Sequence, residues 1–177
     1  MRILVGYATT EGQTRKIARF AADRLFEAGH SVELLNLADA DGLDIGRFDA
    51  AILGASVHGG RYQTELRDFA KANAQALGAR PSLFLSVSLS AAGEEADEWA
   101  DLRRIAERFA KDTGWHPGRV EHVAGAFRFG EYDYFKGWMM RRIARERGET
   151  VDPHGATEYT DWVGLGRALY DWLAAAP

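Results

Sequence analysis

Between the apolar run Ile3-Leu4-Val5 and the stretch Lys16–Phe20 lies Tyr7-Ala-Thr-Thr-Glu-Gly-Gln-Thr14. It gathers three hydroxyls (Thr9, Thr10, Thr14), one glycine (Gly12) and one amide (Gln13) into a single connection. A loop that leaves a strand and enters a helix N-terminus carries free backbone N–H groups and the positive end of the helix dipole. Such a place suits an anion. Threonine hydroxyls add short hydrogen bonds to phosphate oxygens, Gly12 lets the backbone come close, and the Gln13 amide is a further donor. Glu11 sets a carboxylate beside them. No lysine follows the glycine and the GxxxxGK[ST] spacing is missing, which excludes a nucleoside-triphosphate loop; GxGxxG is missing too. A single phosphate monoester, held without a cation, matches best. The competing reading is a threonine-capped helix in which Gly12 only relieves a turn.

Two later stretches extend the pattern. Ala55-Ser56-Val57-His58-Gly59-Gly60-Arg61-Tyr62 combines small residues, two glycines and two ring side chains. Glycines let a backbone approach a planar ring, whose edge heteroatoms can then meet N–H groups. Ser86-Val87-Ser88-Leu89-Ser90 is again small and polar, fit for the opposite side of a flat ligand. A phosphate cradle with two such loops describes a site for flavin mononucleotide (FMN).

The elements that must position these loops alternate along the chain. Strands are predicted at Arg2–Gly6, Ser31–Leu37, Phe48–Gly54, Ser82–Leu89 and Arg119–Phe127. Helices are predicted at Gln13–Gly29, Thr64–Leu77, Glu94–Thr113, about Tyr132–Arg147 and Asp161–Ala175. In the first helix Ile17, Phe20, Ala21, Leu25 and Phe26 are expected inward; in the third, Trp99, Leu102, Ile105, Ala106 and Phe109. Right-handed crossovers turn such alternation into an α/β fold. The expectation is a flavodoxin-like doubly wound five-stranded parallel sheet, order 2-1-3-4-5, with helices on both faces. Ligands of that fold sit beyond the carboxyl ends of the strands, where these loops lie.

Bulk properties narrow the classes. The 177 residues suit one domain, 1–177, and 46% hydrophobic with 27% charged is an ordinary globular balance. A net charge of -4 gives no attraction to nucleic acid. No stretch reaches the ~20 apolar residues of a spanning helix, and no signal-peptide layout is present, so a cytoplasmic protein is expected. With 0 cysteines there are no disulfides, thiolate metal sites or cysteine nucleophiles. No His/Asp/Glu set has metal spacing. His58 could tune a flavin ring; His30, His116 and His154 read as surface, and His122 as a satisfied core histidine. Asp97, Asp101, Asp112, Glu94, Glu95 and Glu98 read as a solvated helix side. Trp99, Trp162 and Trp172 fall at helical core spacing.

Thr9-Thr-Glu-Gly-Gln-Thr14 is similar to the flavodoxin phosphate loop T-x-T-G-x-T, with Glu11 where many flavodoxins have threonine. Further blocks resemble the menaquinone-dependent protoporphyrinogen oxidase family: Glu11-Gly-Gln-Thr-Arg15, Ile52-Leu-Gly-Ala-Ser56, Ala124-Gly-Ala-Phe-Arg-Phe129 with Tyr132, and Gly148-Glu-Thr150 followed by Glu158-Tyr-Thr-Asp-Trp162. They run in order over nearly the whole chain. The resemblance implies bound FMN that takes hydride equivalents from protoporphyrinogen IX and passes them to a menaquinone-like membrane quinone. Carried over, Thr9, Thr10, Gly12, Gln13 and Thr14 would hold the phosphate. Ser56 to Gly60 with Tyr62 would flank the ring on one side and Ser86 to Ser90 on the other. No catalytic acid or base follows from the resemblance.

A family-specific segment around 128–150 mixes aromatics with arginines. As a helix it puts Tyr132, Phe135, Met139 and Ile143 on one face, with Lys136, Arg141, Arg145 and Arg147 elsewhere. Arg128, Tyr132, Trp138, Arg141, Arg142 and Arg145 could meet membrane head groups on the inner face of the cell membrane, or a flat macrocycle with propionates. A basic-sided helix packed on the sheet fits the same residues. The alternatives are a flavodoxin-type electron shuttle, whose usual strongly acidic face the weak overall charge of -4 and the arginines after Gly137 count against, a nicotinamide-dependent quinone reductase with FMN, and a flavin-free interaction module.

Overall fold

The computed structural model describes residues 1–127 and 157–176. Strands β1 (Arg2–Ala8), β2 (Ser31–Asn36), β3 (Ala50–Ser56), β4 (Ser82–Ser88) and β5 (Arg119–Ala124) form one parallel sheet in the order β2-β1-β3-β4-β5. Burial follows that order. β3 and β4 are covered almost throughout, which their unbroken apolar runs require, whereas the flanking β2 and β5 are only half-buried. Val5 pairs with Leu34 on one side and Ile52 on the other, and Ile52 with Leu83.

Among the described residues five α-helices cover the two faces: α1 (Gln13–Glu27), α2 (Thr64–Ala72), α3 (Ala74–Gly78), α4 (Ala96–Thr113) and α5 (Trp162–Ala175). Because strand side chains alternate, Ile3, Val5, Ile52 and Leu85 meet α1 and α5 through Ile17, Leu25, Leu165 and Trp172. Leu4, Leu53 and Phe84 face the other way, against Leu66, Phe69, Phe109 and Trp115. Each such fully buried Leu or Ile stabilises the fold by about 1.5–3 kcal/mol.

Three expectations on the elements are corrected. The helix predicted over Thr64–Leu77 breaks at Asn73, whose side-chain amide donates to the Phe69 carbonyl at 2.9 Å and so caps α2 instead of continuing it. The strand predicted over Arg119–Phe127 leaves the sheet after Ala124. Beyond Gly125, β6 (Ala126–Phe127) pairs antiparallel with β7 (Thr157–Glu158), bringing a distant part of the chain back beside the start of α1. Phe26, expected inward, is 71% exposed, because Ile17, Ala21 and Leu25 already occupy the stripe facing the sheet. Trp99, Ile105 and Trp162 are half-buried, and only Trp172 of those three predicted core tryptophans is fully covered. The predicted helix near Tyr132–Arg147 lies outside the described residues, as does His154.

His122 is not a satisfied core histidine. It is half-buried on β5, edge-on to Trp99, and its buried Nδ1 has no hydrogen-bond partner among the described residues. Burial pushes its pKa down, against the pull of Glu121. Glu95 and Glu98 are half-buried as well, while the four other acidic residues of that run are exposed.

Candidate functional site

The carboxyl ends of β1, β3 and β4 open onto one cleft. It is lined by Thr9, Glu11, Gln13, Thr14, Ser56, Val57, His58, Val87 and Leu89, drawn from three loops far apart in sequence, together with Gly125 and Ala126.

The floor is the start of α1. Gly12 is its N-cap with φ 95, a left-handed conformation that only glycine adopts without strain, and no side chain caps this helix. The first intrahelical bond is Lys16 N–H to the Gly12 carbonyl, so the N–H groups of Gln13, Thr14 and Arg15 have no acceptor within the helix. No acidic residue occupies the first turn. Thr9 Oγ1 accepts from the Gly12 N–H at 2.9 Å and fixes the loop ahead of the helix. Thr14 is 1% exposed and its buried Oγ1 has no hydrogen-bond partner among the described residues. A side chain at Gly54 would come within 3.4 Å of the Thr14 methyl, so the bare backbone of β3 gives Thr14 its seat. A buried hydroxyl without a partner costs about 1–3 kcal/mol. The cost is removed when an acceptor such as a phosphate oxygen arrives.

The remaining threonine and the amide are placed differently from their sequence reading. Thr10 is exposed and accepts from Gln63 Nε2 at 3.3 Å. Gln13 Nε2 already donates to Glu158 Oε2 at 3.1 Å and to Thr160 Oγ1 at 3.0 Å. Both amide protons are thus committed to the returning segment. Glu158 also pairs with Lys16 and accepts from Trp162 Nε1 at 2.8 Å, while Thr160 donates to the Ala124 carbonyl at 2.7 Å. Lys16 lies over the Trp162 ring, 5.3 Å from its centroid. This network straps β7 and the α5 start to the α1 N-terminus. Sequence reading missed it, since Glu158 and Gln13 are separated by 145 positions.

Partial burial pushes the Glu158 carboxyl up, but donations from Lys16, Trp162 and Gln13 outweigh it and hold the group below its usual range. A depressed carboxyl contributes stability that is present above its unfolded pKa and lost as pH falls through the folded one. Chemical unfolding at neutral pH and at about pH 3.5 is expected to show a smaller acid loss for Glu158→Gln than for the parent. Equal acid losses would mean that the strap contributes nothing.

On the opposite wall, Ser56 N–H donates to Gln63 Oε1 at 3.1 Å, and Gln63 Nε2 donates to Ser56 Oγ at 2.6 Å. Gln63, overlooked in the sequence, therefore joins the first and third loops. His58 Nε2 lies 3.2 Å from Ser56 Oγ. His58 and Arg61 exchange backbone hydrogen bonds of 2.8 and 3.1 Å around Gly59 (φ 56) and Gly60 (φ 73), a tight turn that needs left-handed backbone at both positions.

Tyr62 does not reach the cleft. Its ring packs on Phe84 and Phe109 in the core beneath the other sheet face, and its hydroxyl meets Ser86 Oγ at 2.8 Å. Burial pushes the phenol up to about 12, against the Ser86 hydrogen bond. Ser86 is wholly buried in β4, and Ser88 Oγ accepts from Ala91 N–H at 3.2 Å, turned into its own loop. From the fourth loop the cleft thus receives Val87 and Leu89, and not the serines, Ser90 included. Strand alternation decides which of these neighbours face it. Arg128, Tyr132, Trp138, Arg141, Arg142 and Arg145 lie outside the described residues. Among the described residues no group of acidic or histidine side chains could hold a metal ion.

Comparison with known proteins gives a consistent result. Residues 4–154 match the family profile of the flavodoxin domain. The chain is 31% identical over 162 residues to protoporphyrinogen IX dehydrogenase [quinone] of Escherichia coli K12, covering 92% of this chain and 89% of that one. It is 26% identical over 174 residues to the protein of the same name from Leishmania major, covering 98% of this chain and 75% of that one. Among solved structures, oxidised flavodoxin 1 from Bacillus cereus superposes with a TM-score of 0.61 at 13% identity, covering 100% of both chains. At that identity the likeness is one of fold.

Proposed function

The chain belongs to the flavodoxin-domain family and, within it, to the group of protoporphyrinogen IX dehydrogenases (quinone), and from that premise we propose that it oxidises protoporphyrinogen IX to protoporphyrin IX and delivers the electrons to a quinone. It is an oxidoreductase of the flavodoxin type with FMN as its cofactor. The observation that carries the reading is the orphaned, buried Thr14 hydroxyl at an uncapped helix N-terminus.

The residues fit the cofactor. Its phosphate would be held by the N–H groups of Gln13, Thr14 and Arg15 and by the Thr14 hydroxyl, with Gly12 allowing the approach. Thr9 shapes that loop, and Thr10 joins it to Gln63. The flat ring would lie between Ser56–His58 on one side and Val87–Leu89 on the other. When bound, FMN supplies reversible uptake of a hydride equivalent. The protein's share is to bind, to orient and to keep water away; Val57, Val87 and Leu89 give the cleft apolar walls for that purpose. Gln63 and Ser56 hold the third loop in register with the first.

No described helix is long and apolar enough to cross a membrane. A lipid-borne quinone therefore asks for peripheral contact at the inner face of the cell membrane, which we assign to the segment around 128–150 with Trp138, Arg141, Arg142 and Arg145.

The test is anaerobic addition of protoporphyrinogen IX to the purified yellow protein, with and without a menaquinone analogue. Forming one porphyrin removes three hydride equivalents and one bound FMN takes up one, so porphyrin fluorescence is expected to rise beyond about one third of an equivalent per flavin only when the quinone is present. Rapid bleaching by NADPH together with inertness toward the porphyrinogen would instead identify a nicotinamide-dependent quinone reductase.

A further inference from the structure

The turn at Gly59–Gly60 separates two clefts. Ser56, Val57 and His58 face the cofactor cleft, while Gly60, Arg61 and Tyr62 line a second one that continues between α2 and α4. This second cleft has a volume of about 360 Å³, within the range of small-molecule sites. Its apolar wall comes from Tyr62, Phe109 and Ile105, and its rim carries the guanidinium groups of Arg61, Arg67 and Arg108.

In a chain of net charge -4, three arginines around one cleft run against the average. Arg67 is engaged with its neighbour Asp68 through bonds of 3.0 and 2.8 Å. Arg61 and Arg108 are exposed and have no carboxylate partner among the described residues. Asp112, one turn along α4 from Arg108, lines the same cleft and forms no ion pair among the described residues. Guanidinium groups match carboxylates in a two-pronged geometry, so free ones above an aromatic wall suit an apolar, flat ligand with anionic arms.

A side chain at Gly60 would meet nothing within 4 Å, so the turn presents bare backbone to solvent. A tetrapyrrole can lie across it with its oxidisable ring carbons toward the cofactor cleft and its substituents beyond.

We propose that the Arg61–Arg67–Arg108 cleft is the seat of the substrate's carboxylate arms, holding a dicarboxylate tetrapyrrole across the Gly59–Gly60 turn. This rests on the functional reading above. The arms are bound and not transformed. The cleft therefore determines affinity and orientation, and through them the preference for the free diacid over its esters.

The test uses the full-length, FMN-loaded protein and two probes in the same detergent: protoporphyrin IX, which keeps both carboxylates, and its dimethyl ester, which has none. Fluorescence titration of the parent is expected to show tighter binding of the diacid. Arg61→Gln with Arg108→Gln is expected to weaken diacid binding about tenfold or more, the scale of losing charge-assisted hydrogen bonds, and to leave the ester unchanged. Flavin absorbance per chain and far-UV circular dichroism establish that the variant is intact. Arg108→Glu alone should weaken the diacid further than Arg108→Gln. Equal diacid affinity in parent and double variant, with the parent still turning over protoporphyrinogen IX, overturns the cleft assignment and leaves the functional reading standing. Absence of turnover and of any tetrapyrrole binding in the parent overturns both.

Discussion

Gly12→Leu is expected to come out of purification colourless. Gly12 sits at φ 95 ahead of the α1 N–H groups, and a leucine there faces about 1–2 kcal/mol of left-handed strain. Relief of that strain rotates the loop and turns its donors away from the phosphate. Charge-assisted hydrogen bonds contribute about 1.5–3 kcal/mol each, so losing two lowers FMN affinity by at least about 100-fold. Gly29 supplies the control. It has φ 86 at the far end of the same helix, and a side chain there meets nothing within 4 Å. Gly29→Leu should carry a similar backbone cost and remain yellow. Absorbance near 450 nm per chain, followed by FMN titration of the apoproteins, separates the two. A yellow Gly12→Leu protein would remove the phosphate site from this loop.

Thr14→Val should move two quantities in opposite directions. The Thr14 hydroxyl is buried without a partner among the described residues, and its methyl rests over Gly54, so valine keeps the shape and deletes the unsatisfied oxygen. The apoprotein is expected to be as stable as the parent or more stable by up to about 1 kcal/mol. FMN affinity is expected to fall about 10- to 100-fold, because the phosphate loses a hydroxyl donor in a site without a cation. Chemical unfolding of the apoprotein and fluorescence titration with FMN provide the two readings. A hydroxyl with a merely structural role would lower stability on removal and leave FMN binding alone.

What each level of description could reveal differs by residue. Apolar runs such as Ala50–Gly54 and Ser82–Val87 made a parallel sheet legible, since only strands covered on both faces need no polar alternation. The strand order follows from the fold class that alternating strands and helices imply, and the strand-to-helix loop at Thr9–Thr14 from local periodicity and the unsatisfied N–H groups of any helix start. The reach of Gln13 to Glu158, the clasp of Gln63 on Ser56, the departure of β5 at Gly125 and the burial of Tyr62 against Phe84 were not legible. Each joins positions far apart in the chain, or depends on which way an alternating side chain faces. Tyr62, one residue past an exposed turn, looks like a cofactor neighbour in sequence, yet its half-buried ring packs against Phe84 and Phe109 on the other sheet face. The sequence by itself determined most of the secondary elements and the anion-seeking chemistry of the first loop, because those depend on neighbours within one helical turn or one pleat. Only the tertiary structure decided which donors remain free to bind, because a hydrogen-bond donor is available only when no distant partner has already taken it.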